Sequence, residues 1–308
     1  MRWIAWFTCV LLVGCATDPW SPESTDAVED GSQGDASPGR GITTLTQLDP
    51  LWPEGPPAAP GPRLAPALLA LSPEMQAFVD DVDPSQSPNR RFRQILRTLK
   101  QDRFYLEYDL DTTATAAEAF AHRRGNCISF AALIVALARA VGVPAHFNRV
   151  EAPRERRTTR GGDGRMLVQN ILHINAEVSF GWSTQIIELN FEPRSRYRHT
   201  RLTDEEVASL YLNNLATDKA RAGKLTDALP VLREALTLTP DSSIVWNTLG
   251  YLYRQQGKLE LAAMSYTQAL SLDKRNTAAK NNLKRVYALQ SQQALSRART
   301  RDDQDKES

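Results

Sequence analysis

From Ile128 to Val141 the chain reads ISFAALIVALARAV, apolar on nearly every side apart from Ser129 and Arg139. That pattern predicts a helix buried on most of its faces and closed by Gly142 and Pro144. Upstream, Thr115 and Glu118 have the spacing of a capping box. A short helix is expected to start there and to end at Gly125, in the left-handed conformation that glycine tolerates. Order is expected to begin near Leu64. Ser72-Pro73 and Ser87-Pro88 each set an N-cap before a helix-starting proline, introducing the helices PEMQAFVDDV and PNRRFRQILRTLKQD. Between them and Thr115, Arg103–Tyr108 reads as a short extended piece whose aromatic side chains either line a cleft or pack in the core.

After the apolar helix the period changes. Ala145–Val150 reads as a strand, and Glu151–Arg165, EAPRERRTTRGGDGR, as a basic, Gly-rich solvated loop placed where it can flank or gate a site. MLVQNILHINAEVSF, the turn Gly181-Trp182-Ser183 and TQIIELNF then form a hairpin pattern, with apolar and polar residues alternating through His173–Val178. Pairing about Gly181 and Trp182 sets His173 opposite Asn190 and diagonal to Glu188, and all three side chains leave the same face.

The last third repeats itself. Gly223-Lys224-Leu225 returns as Gly257-Lys258-Leu259, 34 residues later, and Ala228, Ala235 and Leu236 return as Ala262, Ala269 and Leu270. That period resembles the tetratricopeptide repeat. Trp246, Leu249, Gly250, Tyr253, Ala262, Tyr266 and Ala269 fit the motif in the fuller second copy. Repeats are expected over about 209–242 and 243–276 within 203–300, followed by a capping helix to about Arg299 and a frayed tail, 301–308. Two repeats and a cap fall short of the three usually needed for stability, so the array is expected to lean on its neighbour. Its concave face suits a protein or peptide partner, or serves as a structural brace.

The N-terminus changes the setting. Arg2, the apolar run Ile4–Val13 and a small residue before a cleavage point make residues 1–14 a secretory signal, too short to span a bilayer. Leu12-Val13-Gly14-Cys15 is similar to a bacterial lipobox, which implies diacylation of Cys15 and a lipid-anchored mature chain. Because Ala16 follows, the outer membrane, facing the periplasm, is the expected location. Residues 15–66 are rich in Pro, Gly, Ser, Asp and Glu and read as an extended tether. With 37 basic and 36 acidic residues the chain has no field to attract nucleic acid.

The chemistry centres on Cys127. With Cys9 in the signal and Cys15 under lipid, Cys127 has no disulfide partner in its own chain. In the first turn of a buried helix it meets backbone N–H groups and the positive end of the dipole, a setting that favours thiolate. The alternative is a small core residue. One thiol and no paired ligand spacing argue against zinc, and no cofactor is called for.

Arg124-Gly125-Asn126-Cys127 opening an apolar helix, Gly142-Val143-Pro144-Ala145 closing it, His173 on a strand and an acid after a Trp-containing hairpin resemble the transglutaminase-like, papain-related cysteine enzymes over roughly 90–192. The resemblance implies an α+β domain, over 67–202, whose nucleophile helix packs on an antiparallel sheet, ahead of the all-α repeat array. It implies Cys127 as nucleophile, His173 as base and Glu188 in the place where an aspartate is usual, with Asn190 as the alternative third member. The activity implied is attack on amide bonds of proteins or peptides, ending in hydrolysis or acyl transfer to an amine. A catalytically silent adaptor that binds partners through its repeats is the competing reading.

Overall fold

Four residues before the Ser72 cap of the first helix the chain already packs: Leu68 is buried, and its carbonyl accepts a hydrogen bond from Ala116 N at 2.9 Å. The structure, a computed structural model, describes residues 67–100, 104, 106–160, 166–188 and 197–307. The signal segment, Cys15, the tether, residues 161–165 and Asn190 lie outside the described residues.

Helix α1 (Pro73–Asp80) starts where Ser72 predicts, its side chain accepting from Met75 N at 3.2 Å. Helix α2 (Pro88–Leu99) starts after Ser87 without such a bond, so the extended backbone of Ser87 and the fixed φ of Pro88 set its start. Met75, Val79, Phe92, Ile95 and Leu99 turn into the core. Of the expected extended segment only β1 (Glu107–Tyr108) is strand. Phe104 is buried in a cluster with Phe78 and Phe120, ring centroids 5.9 and 5.0 Å away, so of the two readings for that aromatic the core one applies.

Helix α3 (Ala116–His122) has the full capping box between Thr115 and Glu118. It ends earlier than expected. Arg123, not Gly125, takes the left-handed conformation, at φ 55. Gly125 instead belongs to β2 (Arg124–Gly125), which pairs in parallel with β1. The reason for glycine there is space, described below. Helix α4 (Cys127–Ala140) follows, and every residue from Ile128 to Ala138 is buried. Each such Leu, Ile, Val or Phe side chain removed from water is worth about 1.5–3 kcal/mol, which makes this helix the centre of the domain core.

Strands β3 (Ala145–Arg160), β4 (Met166–Phe180), β5 (Ser183–Ile187) and β6 (Arg198–Leu202) form one antiparallel sheet in the order β5-β4-β3-β6. The expected loop from Glu151 is strand as far as Arg160: after an irregularity between Val150 and Glu155, β3 pairs with β4 out to Arg160 and Met166. A ladder is made of backbone bonds, and a long hairpin tolerates the polar sequence that suggested a loop. The β4–β5 register is the one anticipated, with Phe180 opposite Ser183 and Ala176 opposite Ile187. Alternation then divides the sheet. Ala145, Phe147, Ile174, Ala176, Val178 and Ile187 join the α4 core, and His173, Asn175, Glu188, Asn148 and His199 carry polar groups on the other set of positions.

The repeat helices are α5 (Asp204–Arg221), α6 (Leu225–Leu238), α7 (Ser243–Gln255) and α8 (Leu259–Leu272), and α9 (Thr277–Glu307) follows them. Helix α5 begins before the expected start at Ser209, behind a capping box of Thr203 and Glu206. Helix α9 continues through the polar tail that was expected to fray. Gly250 lets α7 and α8 touch, since a Cβ there would lie 2.7 Å from the Tyr266 ring.

The array joins the first domain without a spacer, β6 ending at Leu202 and Thr203 already capping α5. Arg139, the charged exception in α4, grips Asp204 through both terminal nitrogens at 2.5 and 3.0 Å and the Ala145 carbonyl at 3.0 Å. At the far end of α5, Arg221 bonds Asp111 at 2.8 Å.

Candidate active site

Cys127 is the first residue of α4 and is half-buried. What holds it is a set of bonds around its neighbours. The Asn126 side chain caps the helix, its Oδ1 accepting from Ser129 N at 3.2 Å and Ser129 Oγ at 3.1 Å. Its Nδ2 donates to Thr113 Oγ1 at 3.0 Å, and its backbone N to the Thr112 carbonyl at 2.9 Å. Ser129 Oγ in turn accepts from Ala114 N at 2.8 Å. These bonds tie the 112–114 segment to the helix start. Gly125 is required because a Cβ there would sit 2.6 Å from Ser129 Cβ. The tie continues into the repeats, where Asp218 of α5 hydrogen-bonds Thr113. Burial pushes Asp218 above its ordinary value, against the bonds from Arg221 and Thr113.

His173 comes from β4 and Glu188 follows the last residue of β5. The diagonal placement read from the hairpin brings them into contact: His173 Nε2 lies 2.7 Å from Glu188 Oε1. The pair is sheltered, with side-chain exposures of 20% and 7%. Cys127 hydrogen-bonds His173 as well. With Nε2 held by the carboxylate, Nδ1 is the ring nitrogen left for the thiol. Burial works against charge on the ring, but the hydrogen bonds with Cys127 and Glu188 and the charges of both outweigh it, raising His173 from 6.5 to about 10. The bonds to Cys127 and Glu188 thus favour the charged form of the ring.

Residues 76–184 match the model of the transglutaminase-like superfamily, and residues 206–275 match a tetratricopeptide-repeat model. A transglutaminase-like domain precedes a tetratricopeptide-repeat array. The transglutaminase-like match contains Cys127 and His173 and stops short of Glu188. The chain matches no curated protein.

The other histidines of the transglutaminase-like domain separate into two kinds. His122 ends α3, and His146 lies on β3 opposite Glu177. His199 is on β6, with Nδ1 2.7 Å from Asn148 Nδ2. Asn175 was also passed over. Its Nδ2 donates to Glu188 Oε1 at 2.5 Å. The hairpin register carried the signal for Asn175, because the pairing that sets Glu188 diagonal to His173 sets it directly opposite Asn175.

Proposed function

We propose that this protein is a cysteine enzyme acting on amide bonds of proteins or peptides, with Cys127 as nucleophile, His173 as proton carrier and Glu188 as the group that orients the ring. One observation carries the reading: the His173 ring meets Glu188 at 2.7 Å and also hydrogen-bonds Cys127. The Cys127 sulfur attacks the amide carbonyl and forms a C–S bond. As the tetrahedral intermediate collapses, the His173 imidazolium gives its proton to the departing nitrogen and the C–N bond breaks. The neutral ring then takes a proton from water or from an amine, which attacks the thioester and releases the Cys127 sulfur. Water gives hydrolysis and an amine gives transamidation. Amide groups at the N-terminus of α4 are the available donors for the oxyanion.

The repeats supply docking for a protein substrate or partner, a role supported by the match to a repeat family built for protein interaction. The lipobox-like Leu12-Val13-Gly14-Cys15 supports an anchor on Cys15, with the enzyme held at the outer membrane of a bacterial envelope and facing the periplasm.

The test is the rate of Cys127 alkylation by iodoacetamide at moderately acid pH, where an ordinary thiol is nearly inert. Labelling is expected in the wild type, absent in Cys127→Ala and at least about tenfold slower in His173→Ala. Equal, slow labelling of wild type and His173→Ala overturns the enzyme reading and leaves the adaptor.

A further inference from the structure

Behind Glu188 runs a line of polar side chains that the Cys127–His173–Glu188 geometry does not use. Glu188 Oε1 accepts from Asn175 Nδ2 at 2.5 Å as well as meeting His173. Asn175 Oδ1 accepts from Asn148 Nδ2 at 2.8 Å, and that same Nδ2 lies 2.7 Å from His199 Nδ1. Glu188 adjoins β5, and Asn175, Asn148 and His199 lie on β4, β3 and β6, so the line crosses the whole sheet. The middle is dry: Asn148 and Asn175 are 0% and 2% exposed.

The direction of the line is fixed from one end. A carboxylate only accepts, so Asn175 must turn its NH2 toward Glu188 and its Oδ1 toward Asn148. Asn148 must then turn its own NH2 to Asn175, and its second hydrogen points at His199. His199 Nδ1 therefore has to be the bare, accepting nitrogen, with the ring proton on Nε2. Asn148 Oδ1 is buried without a hydrogen bond, so the oxygen does not set the orientation of this amide. Its donor side does.

We propose that Asn175, Asn148 and His199 are positioning residues that hold Glu188 Oε1 against the His173 ring, with the bare Nδ1 of His199 terminating the line. The inference rests on the proposed role of Cys127, His173 and Glu188. It deepens that role by assigning the groups that fix its acid.

Alkylation of two sets of variants of the full-length protein tests it. In Asn148→Asp the shape is kept but the NH2 becomes an acceptor, which forces Asn175 to turn its own NH2 away from Glu188. Cys127 alkylation at moderately acid pH is expected to slow at least about tenfold, with the acid limb of its pH profile displaced, while the far-UV spectrum is unchanged. His199→Ala should also slow alkylation, and His199→Asn, which puts an accepting oxygen where Nδ1 stands, should recover most of the loss. A folded Asn148→Asp protein with the wild-type rate and pH profile overturns the proposal. Should Asn148→Asp fail to fold, the nitrogen NMR shifts of His199 in the wild type decide: a bare Nδ1 supports the line and a protonated Nδ1 overturns it. His173-dependent labelling that ignores Asn148→Asp defeats this inference alone, whereas labelling independent of His173 defeats the proposed activity.

Discussion

Oε1 of Glu188 lies 2.7 Å from Nε2 of His173 although the two residues are diagonal in the β4–β5 ladder, one step beyond the Ala176–Ile187 pair. The glutamate spans the diagonal, and the same oxygen also accepts from Asn175, the residue directly across the ladder.

Glu188→Gln keeps the shape and removes the charge that helps His173 hold its proton. Alkylation of Cys127 at moderately acid pH is expected to fall by roughly tenfold to a hundredfold. Glu188→Asp keeps the charge but is one methylene shorter and should fall between. Unchanged rates in Glu188→Gln would remove Glu188 from the site.

The same pairing predicts a pH dependence of stability. The folded ring keeps its proton to about 10, whereas an unfolded histidine releases it near 6.5, so protonation favours the folded state. This contribution is complete below 6.5 and is lost as the pH rises through about 10. The gap in urea midpoint between wild type and His173→Gln should therefore be widest in mild acid and close toward alkaline pH. A gap that grows with pH contradicts the assignment.

Gly125→Ala places a Cβ 2.6 Å from Ser129 Cβ. Ser129 also bonds Ala114 and Asn126, so it cannot move without disturbing the helix start. A loss of about 1–3 kcal/mol in denaturant unfolding is expected, together with slower alkylation of Cys127.

Thr113→Val removes the acceptor of Asn126 Nδ2 and the hydroxyl that bonds Asp218. Stability should drop by about 1 kcal/mol and alkylation should slow several-fold, although Thr113 is not part of the Cys127–His173–Glu188 set. A stability loss with an unchanged rate would show that the remaining bonds of Asn126 suffice to place Cys127.

Much of the site was legible because it depends on local patterns. The capping box at Thr115, the apolar run after Cys127 and the alternation around His173 each fix backbone geometry from a few neighbouring residues, and the turn at Gly181 fixes which residues meet. The end of α3 was misread because glycine marks either a left-handed residue or a close approach. Only the distance to Ser129, four residues on in sequence, separates the two. His199 and Asn148 were missed because their meeting depends on β6 returning to the far edge of the sheet, a long-range pairing with no local signature. Residues 151–160 read as a loop because polar composition was taken for lack of pairing, whereas ladder bonds belong to the backbone.

The junction at Leu202 and Thr203 has a further consequence for how a long substrate would be handled. No spacer separates the array from the first domain, and Arg139 and Arg221 bond Asp204 and Asp111 at the two ends of α5, so the first helix of the array is tied to the domain at both ends. An extended chain covers at most about 3.3–3.6 Å per residue, so a segment docked on the repeats needs a minimum number of residues to arrive at Cys127. On the proposed activity, a tethered amide below that length would fall short of the thiol whatever its sequence, and the array would select substrates by the distance between their docking segment and their reactive bond.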